Sequence, residues 1–229
     1  MIGVDACKTG WIGVVLDAGV DAGVDGGTEA IWAPDLAGLA ALAGPVAVLA
    51  VDIPIGLPDA GVRSADLLAR LAVGPRRSSV FATPVRAAIE APTHAEAIAV
   101  ARRLTGSGVS AQAYGLRAKI LDADAFVRAS AVRVAEVHPE VTFAQLAGGP
   151  LAHRKTSWAG VELRRALLRS AGIELGGDLG PAGVHGAVDD VLDAAAAAWT
   201  ARRIAHGEAI SRPDPPEFFS DGIPAAIWT

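Results

Sequence analysis

Apolar residues come in short blocks at the start of the chain and in helix-spaced stripes further on, and that change of period predicts the element order. Two apolar runs within residues 1–16 flank a polar bend at Lys8-Thr9-Gly10, the pattern of a β-hairpin. Residues 28–33 read as a third strand. Pro34-Asp35 opens a helix through Leu36, Leu39, Ala40 and Leu42 to Gly44. A continuous apolar run over 46–52 follows as a fourth strand. From 61 to 130 the pattern turns helical, with candidate helices at 64–73, 94–104 and 111–129. Residues 131–138 return to alternation as a fifth strand, and a short helix over 139–147 follows. A striped helix at 157–170, a glycine-rich loop at 174–186 and an alanine-rich helix from 188 to about 207 come next. Residues 213–229 read as a proline-rich arm with a short strand at 225–228. The order is β-β-β-α-β, a helical stretch, then β-α-α-α, an α/β chain with five strands.

Two of these strands stop at an aspartate. Asp5 ends the first, and Asp52 ends the fourth just before Pro54, which has no N–H for a ladder. A carboxylate at a strand end is well placed for a cleft, although Asp5 could equally hydrogen-bond its own turn. The last long helix opens with Asp189 and Asp190, which the helix dipole alone would explain. Asp193 sits one turn further in, on the same face as Asp189, where the dipole has faded. Glu136 lies near the end of the fifth strand, and His138 beside it reads either as a metal ligand or general base or as a capping residue. The most basic stretch is the loop at 74–79, where Arg76 and Arg77 precede Ser78 and Ser79, with Arg63 and Arg86 nearby. Such a loop can neutralise phosphate oxygens or simply be a solvated surface. The Asp- and Gly-rich stretch from 17 to 27 lacks the closing glutamate of a calcium loop and reads as a hairpin connection.

Composition narrows the reading. A length of 229 residues with 52% hydrophobic suits one domain, here 1–229 with a helical insertion at 61–130. No membrane span or signal peptide is visible, so a cytoplasmic protein without membrane partners is expected. The single Cys7 excludes an internal disulfide and a cysteine-based zinc site. A net charge of -5 argues against broad binding to long duplexes and points to a short or structured nucleic acid, if any.

Gly-Val-Asp5 with Gly10-Trp11, Val-Asp52-Ile-Pro-Ile-Gly56, Glu136-Val-His-Pro-Glu140, Lys155 followed by Gly160-Val-Glu-Leu-Arg164, and Asp189-Asp190-Val-Leu-Asp193-Ala together resemble, in that order, the DUF429 family of predicted ribonuclease H-like nucleases. The resemblance implies a ribonuclease H-like fold: a mixed five-stranded sheet flanked by helices, with the first three strands antiparallel and the later ones parallel to the first. It implies an acidic centre of Asp5, Asp52 and Asp193, adjoined by Asp189 or Asp190, with Glu136 as a further catalytic candidate. Arg76, Arg77, Ser79, Lys155 and Arg164 are the candidates for holding substrate. All-oxygen ligands favour Mg2+ or Mn2+ over zinc. The activity implied is metal-dependent phosphodiester hydrolysis. The alternatives are a non-catalytic binding or scaffold protein of the same fold, and a phosphate-binding relative of the actin-like ATPases. Oligomeric state is open.

Overall fold

The computed structural model describes residues 1–17 and 27–229, so most of the Asp- and Gly-rich stretch lies outside the described residues. The elements are β1 (Ile2–Cys7), β2 (Gly10–Leu16), β3 (Thr28–Ala33), α1 (Leu36–Ala43), β4 (Val48–Val51), α2 (Ser64–Val73), a 3-10 helix (Gly74–Ser79), α3 (Arg86–Glu90), α4 (His94–Thr105), α5 (Ala111–Gly115), α6 (Arg117–Ala129), β5 (Arg133–Val137), α7 (Pro139–Ala147), α8 (Trp158–Ser170), α9 (Gly180–His185), α10 (Val188–His206), β6 (Ser211–Phe218) and β7 (Pro224–Trp228). They form a mixed sheet in the order β3-β2-β1-β4-β5-β7-β6, flanked by helices. The first three strands are antiparallel to one another, while β4 runs parallel to β1 and β5 parallel to β4. No described helix is long and apolar enough to cross a membrane.

The sheet has seven strands, not the five expected. The error lies in the C-terminal arm, whose prolines at 213, 215 and 216 argue against a strand because each removes a ladder donor. They are tolerated because β6 is the edge strand, and its pairing with β7 breaks register between Arg212 and Glu217. Beside it, β7 runs parallel to β5, inside the sheet. Three smaller differences are local. The basic loop is a 3-10 helix, the expected helix at 111–129 breaks at Leu116 into α5 and α6, and the glycine-rich loop contains the short α9.

Alternation along β1 and β4 sorts their residues onto two cores. Ile2, Val4, Leu49 and Val51 face one way, against Leu36 and Leu39 of α1 and Ile120 of α6. Met1, Val48 and Ala50 face the other way, against Ala197, Ala201 and Ile204 of α10. Gly3 shares this second face. A Cβ added there would lie 1.8 Å from the Ala198 nitrogen and 2.2 Å from the Ala194 carbonyl oxygen, so only glycine permits the approach. On the helix side, Ala194 to Ala198 are all fully buried. This glycine-on-alanine seam is what presses the start of α10 onto the end of β1.

Candidate functional site

Counting along the same face locates the site. Asp5 is two residues past Gly3, and Asp52 is two past Ala50, so both carboxylates project on the α10 side of the sheet. Gly3 and Ala50 are register partners, and the Asp52 N–H donates to the Val4 carbonyl at 2.9 Å, extending the pairing to the two aspartates. Asp193 immediately precedes the alanine seam of α10. Oxygens of Asp5, Asp52 and Asp193 all lie within 4.8 Å of one another. Asp5 is 7% exposed and Asp193 2%, while Asp52 is half-buried.

Three carboxylates packed this closely cannot all ionise freely. Burial, followed by the charges of Asp52 and Asp193, pushes the Asp5 carboxyl well above its ordinary range. Asp193 rises to about 7 from burial and the nearness of Asp52, despite the opposing charge of Lys155. Asp52 also rises to about 7, through burial and the carboxylates of Glu136 and Glu140. Lys155 partly offsets this repulsion: its Nζ donates to Asp193 Oδ2 at 2.7 Å and lies 3.2 Å from Asp189 Oδ2. Asp5 Oδ1 accepts from the Ala6 N–H at 2.7 Å. Asp193 Oδ1 is buried with no partner among the described residues. Asp190 caps α10 by accepting from the Ala187 N–H at 2.9 Å, and it also lines the cleft; Asp189 joins through Lys155 only.

Glu136 lines the same cleft as the three aspartates, from the other face of the sheet. It is the register partner of Val51, so alternation turns it away from α10. There Arg63, 1% exposed, grips it with Nη1 at 2.8 Å and Nη2 at 2.7 Å, and the Ile55 N–H donates to it at 2.7 Å. Arg63 Nη2 also donates to Asp66 at 2.6 Å, and the other oxygen of Asp66 accepts from the Thr83 N–H at 2.7 Å. Although burial disfavours its charge, Glu136 and Asp66 hold the Arg63 pKa above its ordinary value. This buried network braces the loop that follows Asp52. Arg63 reads from sequence as one of several loop arginines; nothing local signals its burial.

The acids open into a cleft of about 470 Å3, whose walls include Arg76, Ser79, His138, Glu140, Arg154 and Lys155. Of the five expected substrate contacts, Arg76, Ser79 and Lys155 are there. Arg76 is tethered, donating from Nη2 to the Ala152 carbonyl at 2.8 Å, and Ser79 Oγ donates to the Arg76 carbonyl at 2.8 Å. Arg77 lines a neighbouring cavity instead. Arg164 is placed differently from the expectation: it is fully buried, paired with Glu140, and donates to the Gly160 carbonyl at 3.2 Å. Its place one turn along the buried stripe of α8 turns its guanidinium inward. His138 sits at the N-terminus of α7 without capping it. Burial lowers its pKa, and its Nδ1 is buried without a partner among the described residues. Arg154, exposed on the cleft wall, escaped the sequence reading because it lies in a polar loop with no motif.

A compact all-oxygen donor set with one orphaned buried oxygen fits a hard divalent cation. The arrangement could also bind a positively charged group directly, as Lys155 already illustrates. No curated protein and no solved structure matches the chain. A family model does, over residues 3–218, a span that takes in all three clustered aspartates, and the chain therefore belongs to the family described as a protein of unknown function (DUF429).

Proposed function

We propose that the protein is a metal-dependent phosphodiester hydrolase whose ion is held by Asp5, Asp52 and Asp193. The observation that carries this is the convergence of three carboxylates, from a strand, a strand end and a distant helix, at oxygen separations within 4.8 Å. Such an arrangement is costly in the free protein, because each buried carboxylate raises the pKa of the others. Mg2+ or Mn2+ bound there would supply an activated water and charge stabilisation at the leaving oxygen. The chain's own residues do the rest. Asp5 and Asp52 are fixed by adjoining strands, so their spacing is set before any ligand arrives. Arg76 and Arg154 on the cleft wall offset the negative field that would repel a phosphate. His138, kept neutral by burial, lies on the cleft wall, and its Nδ1 has no partner among the described residues.

One observation favours a second reading. Lys155 already neutralises part of the cluster, as it would in a metal-free binding site of a scaffold protein. Thermal denaturation with and without Mn2+, and cleavage assays on short single-stranded, duplex and hybrid oligonucleotides, separate the two. The hydrolase reading expects Mn2+ to raise the Tm of the wild type by linkage and not that of Asp5→Asn. It also expects Asp52→Asn to remove turnover while leaving much of the substrate binding. Absence of both the Mn2+ shift and all cleavage would sink it in favour of the scaffold.

A further inference from the structure

Beside the acidic cleft lies a second cavity of about 540 Å3, and the two share Ser78, Val80, Phe81 and Thr83 as a common wall. The two cavities differ in character. Where the cleft is ringed by carboxylates, the side cavity has no carboxylate among the described residues: Val62, Val80, Pro84 and Val109 line it together with serine and threonine hydroxyls and Arg70, with Phe81 half-buried at its boundary and Arg77 exposed on its wall. Its far side is made by the C-terminal turn of α4 and residues 107–110, and all of its lining comes from the helical stretch between β4 and β5. The common wall is firmly held. Arg70 Nε donates to the Val80 carbonyl at 2.9 Å, and Thr83 donates from its N–H at 2.7 Å and its hydroxyl at 3.1 Å to Asp66.

We propose that the side cavity is a subsite for the base of one unpaired nucleotide whose phosphate sits in the acidic cleft, so that the substrate is a single strand or an unpaired end. This rests on the phosphodiester hydrolase reading and specifies its substrate. A nucleobase has two apolar faces and a polar edge, and a cavity that sets one aromatic ring and several aliphatic side chains beside Arg70, Arg77 and a group of hydroxyls complements both parts. Its volume lies in the range of small-ligand pockets, roughly 300–1,000 Å3. A base in a duplex is stacked inside and would have to be unpaired, at a cost of a few kcal/mol, to enter. The net charge of -5 opposes the general attraction that binding a long duplex needs.

The test is fluorescence anisotropy with a short labelled thymidine oligomer and a blunt duplex of the same length, in EDTA so that nothing is cleaved. The single strand should bind more tightly than the duplex. Phe81→Ala should weaken single-strand binding about tenfold, the loss expected for one stacked base. Phe81→Leu, which keeps the apolar volume packed beside α4, should lose about as much, showing that the ring and not the fold is responsible. Arg77→Ala, which removes a donor to the polar edge of the base, should also weaken single-strand binding. Equal binding of duplex and single strand, or wild-type affinity in Phe81→Leu, would overturn the subsite. A Phe81 effect that persists in a protein with no Mn2+ shift and no cleavage would instead sink the hydrolase reading while leaving the base subsite standing.

Discussion

Asp193→Asn should make the metal-free protein progressively more stable, relative to wild type, as pH rises. Asp193 is 2% exposed, and burial with its neighbours raises it from the ordinary 3.8 to about 7. A carboxyl whose folded pKa is raised keeps its proton in the native state after the unfolded chain has lost it. Native stability is therefore whole below the unfolded value and falls as pH climbs towards 7. At about 1.4 kcal/mol per pH unit, a span of about three units costs the wild type about 4 kcal/mol. Asp5 and Asp52 share the same protons, so this figure belongs to the cluster rather than to one side chain. Asparagine mimics the protonated form and does not titrate. The assay is thermal denaturation of both proteins in EDTA from pH 4.5 to 8. For a chain of this size, about 4 kcal/mol corresponds to roughly 8–16 °C. With saturating Mn2+ at pH 8 the order should invert, because only the wild type retains all three ligands. A Tm difference that stays constant from pH 4.5 to 8 would show that Asp193 ionises normally beside Lys155. The repulsion argument would then be wrong.

Three further outcomes follow from the same geometry. Gly3→Ala should cost more than about 4 kcal/mol, read as a collapse of Tm or of soluble yield, because its Cβ meets the α10 backbone at 1.8 Å and a helix cannot step aside locally. Arg63→Met should cost about 3–5 kcal/mol at pH 7 by stranding Glu136 and Asp66 as buried charges, and adding Glu136→Gln should recover part of that loss in denaturant melts. Mn2+ affinity measured by calorimetry should rise between pH 5.5 and 8, since Asp52 and Asp193, each at about 7, must release protons to bind; a flat profile would mean the acids are not the ligands.

The acidic centre was legible wherever its cause was local. Asp5 and Asp52 each stop an apolar run, and Asp193 falls one turn too deep for the helix dipole to explain it. Glu136 lines the cleft, as its place near a strand end suggests, but its clamping by Arg63 was not legible, because alternation from Ala135 and Val137, which pack against α10, turns it towards the other face of the sheet. The distant partners of the buried arginines were not legible. Arg63 meets Glu136 and Arg164 meets Glu140 across long sequence separations, and an arginine's one-letter context does not distinguish a solvated fork from a buried one. β6 was hidden by its prolines, whose acceptability depends on edge position, a property of the whole sheet.

The placement of β7 between β5 and β6, together with the seating of α10 on β1, bears on when the protein becomes competent. Asp5 is made well before Asp193, so the cluster closes only through contacts of very high sequence separation. Contacts of that kind form slowly and late. A nascent chain that has emerged only as far as β5 holds two of the three acids on a sheet whose helix cover is missing. Asp193 joins the other two carboxylates only as the alanine seam docks, so the packing that opposes their full repulsion arrives together with the third charge. Ion binding should therefore be a late event, and protection of the α10 amides from hydrogen exchange should precede the appearance of metal affinity during refolding.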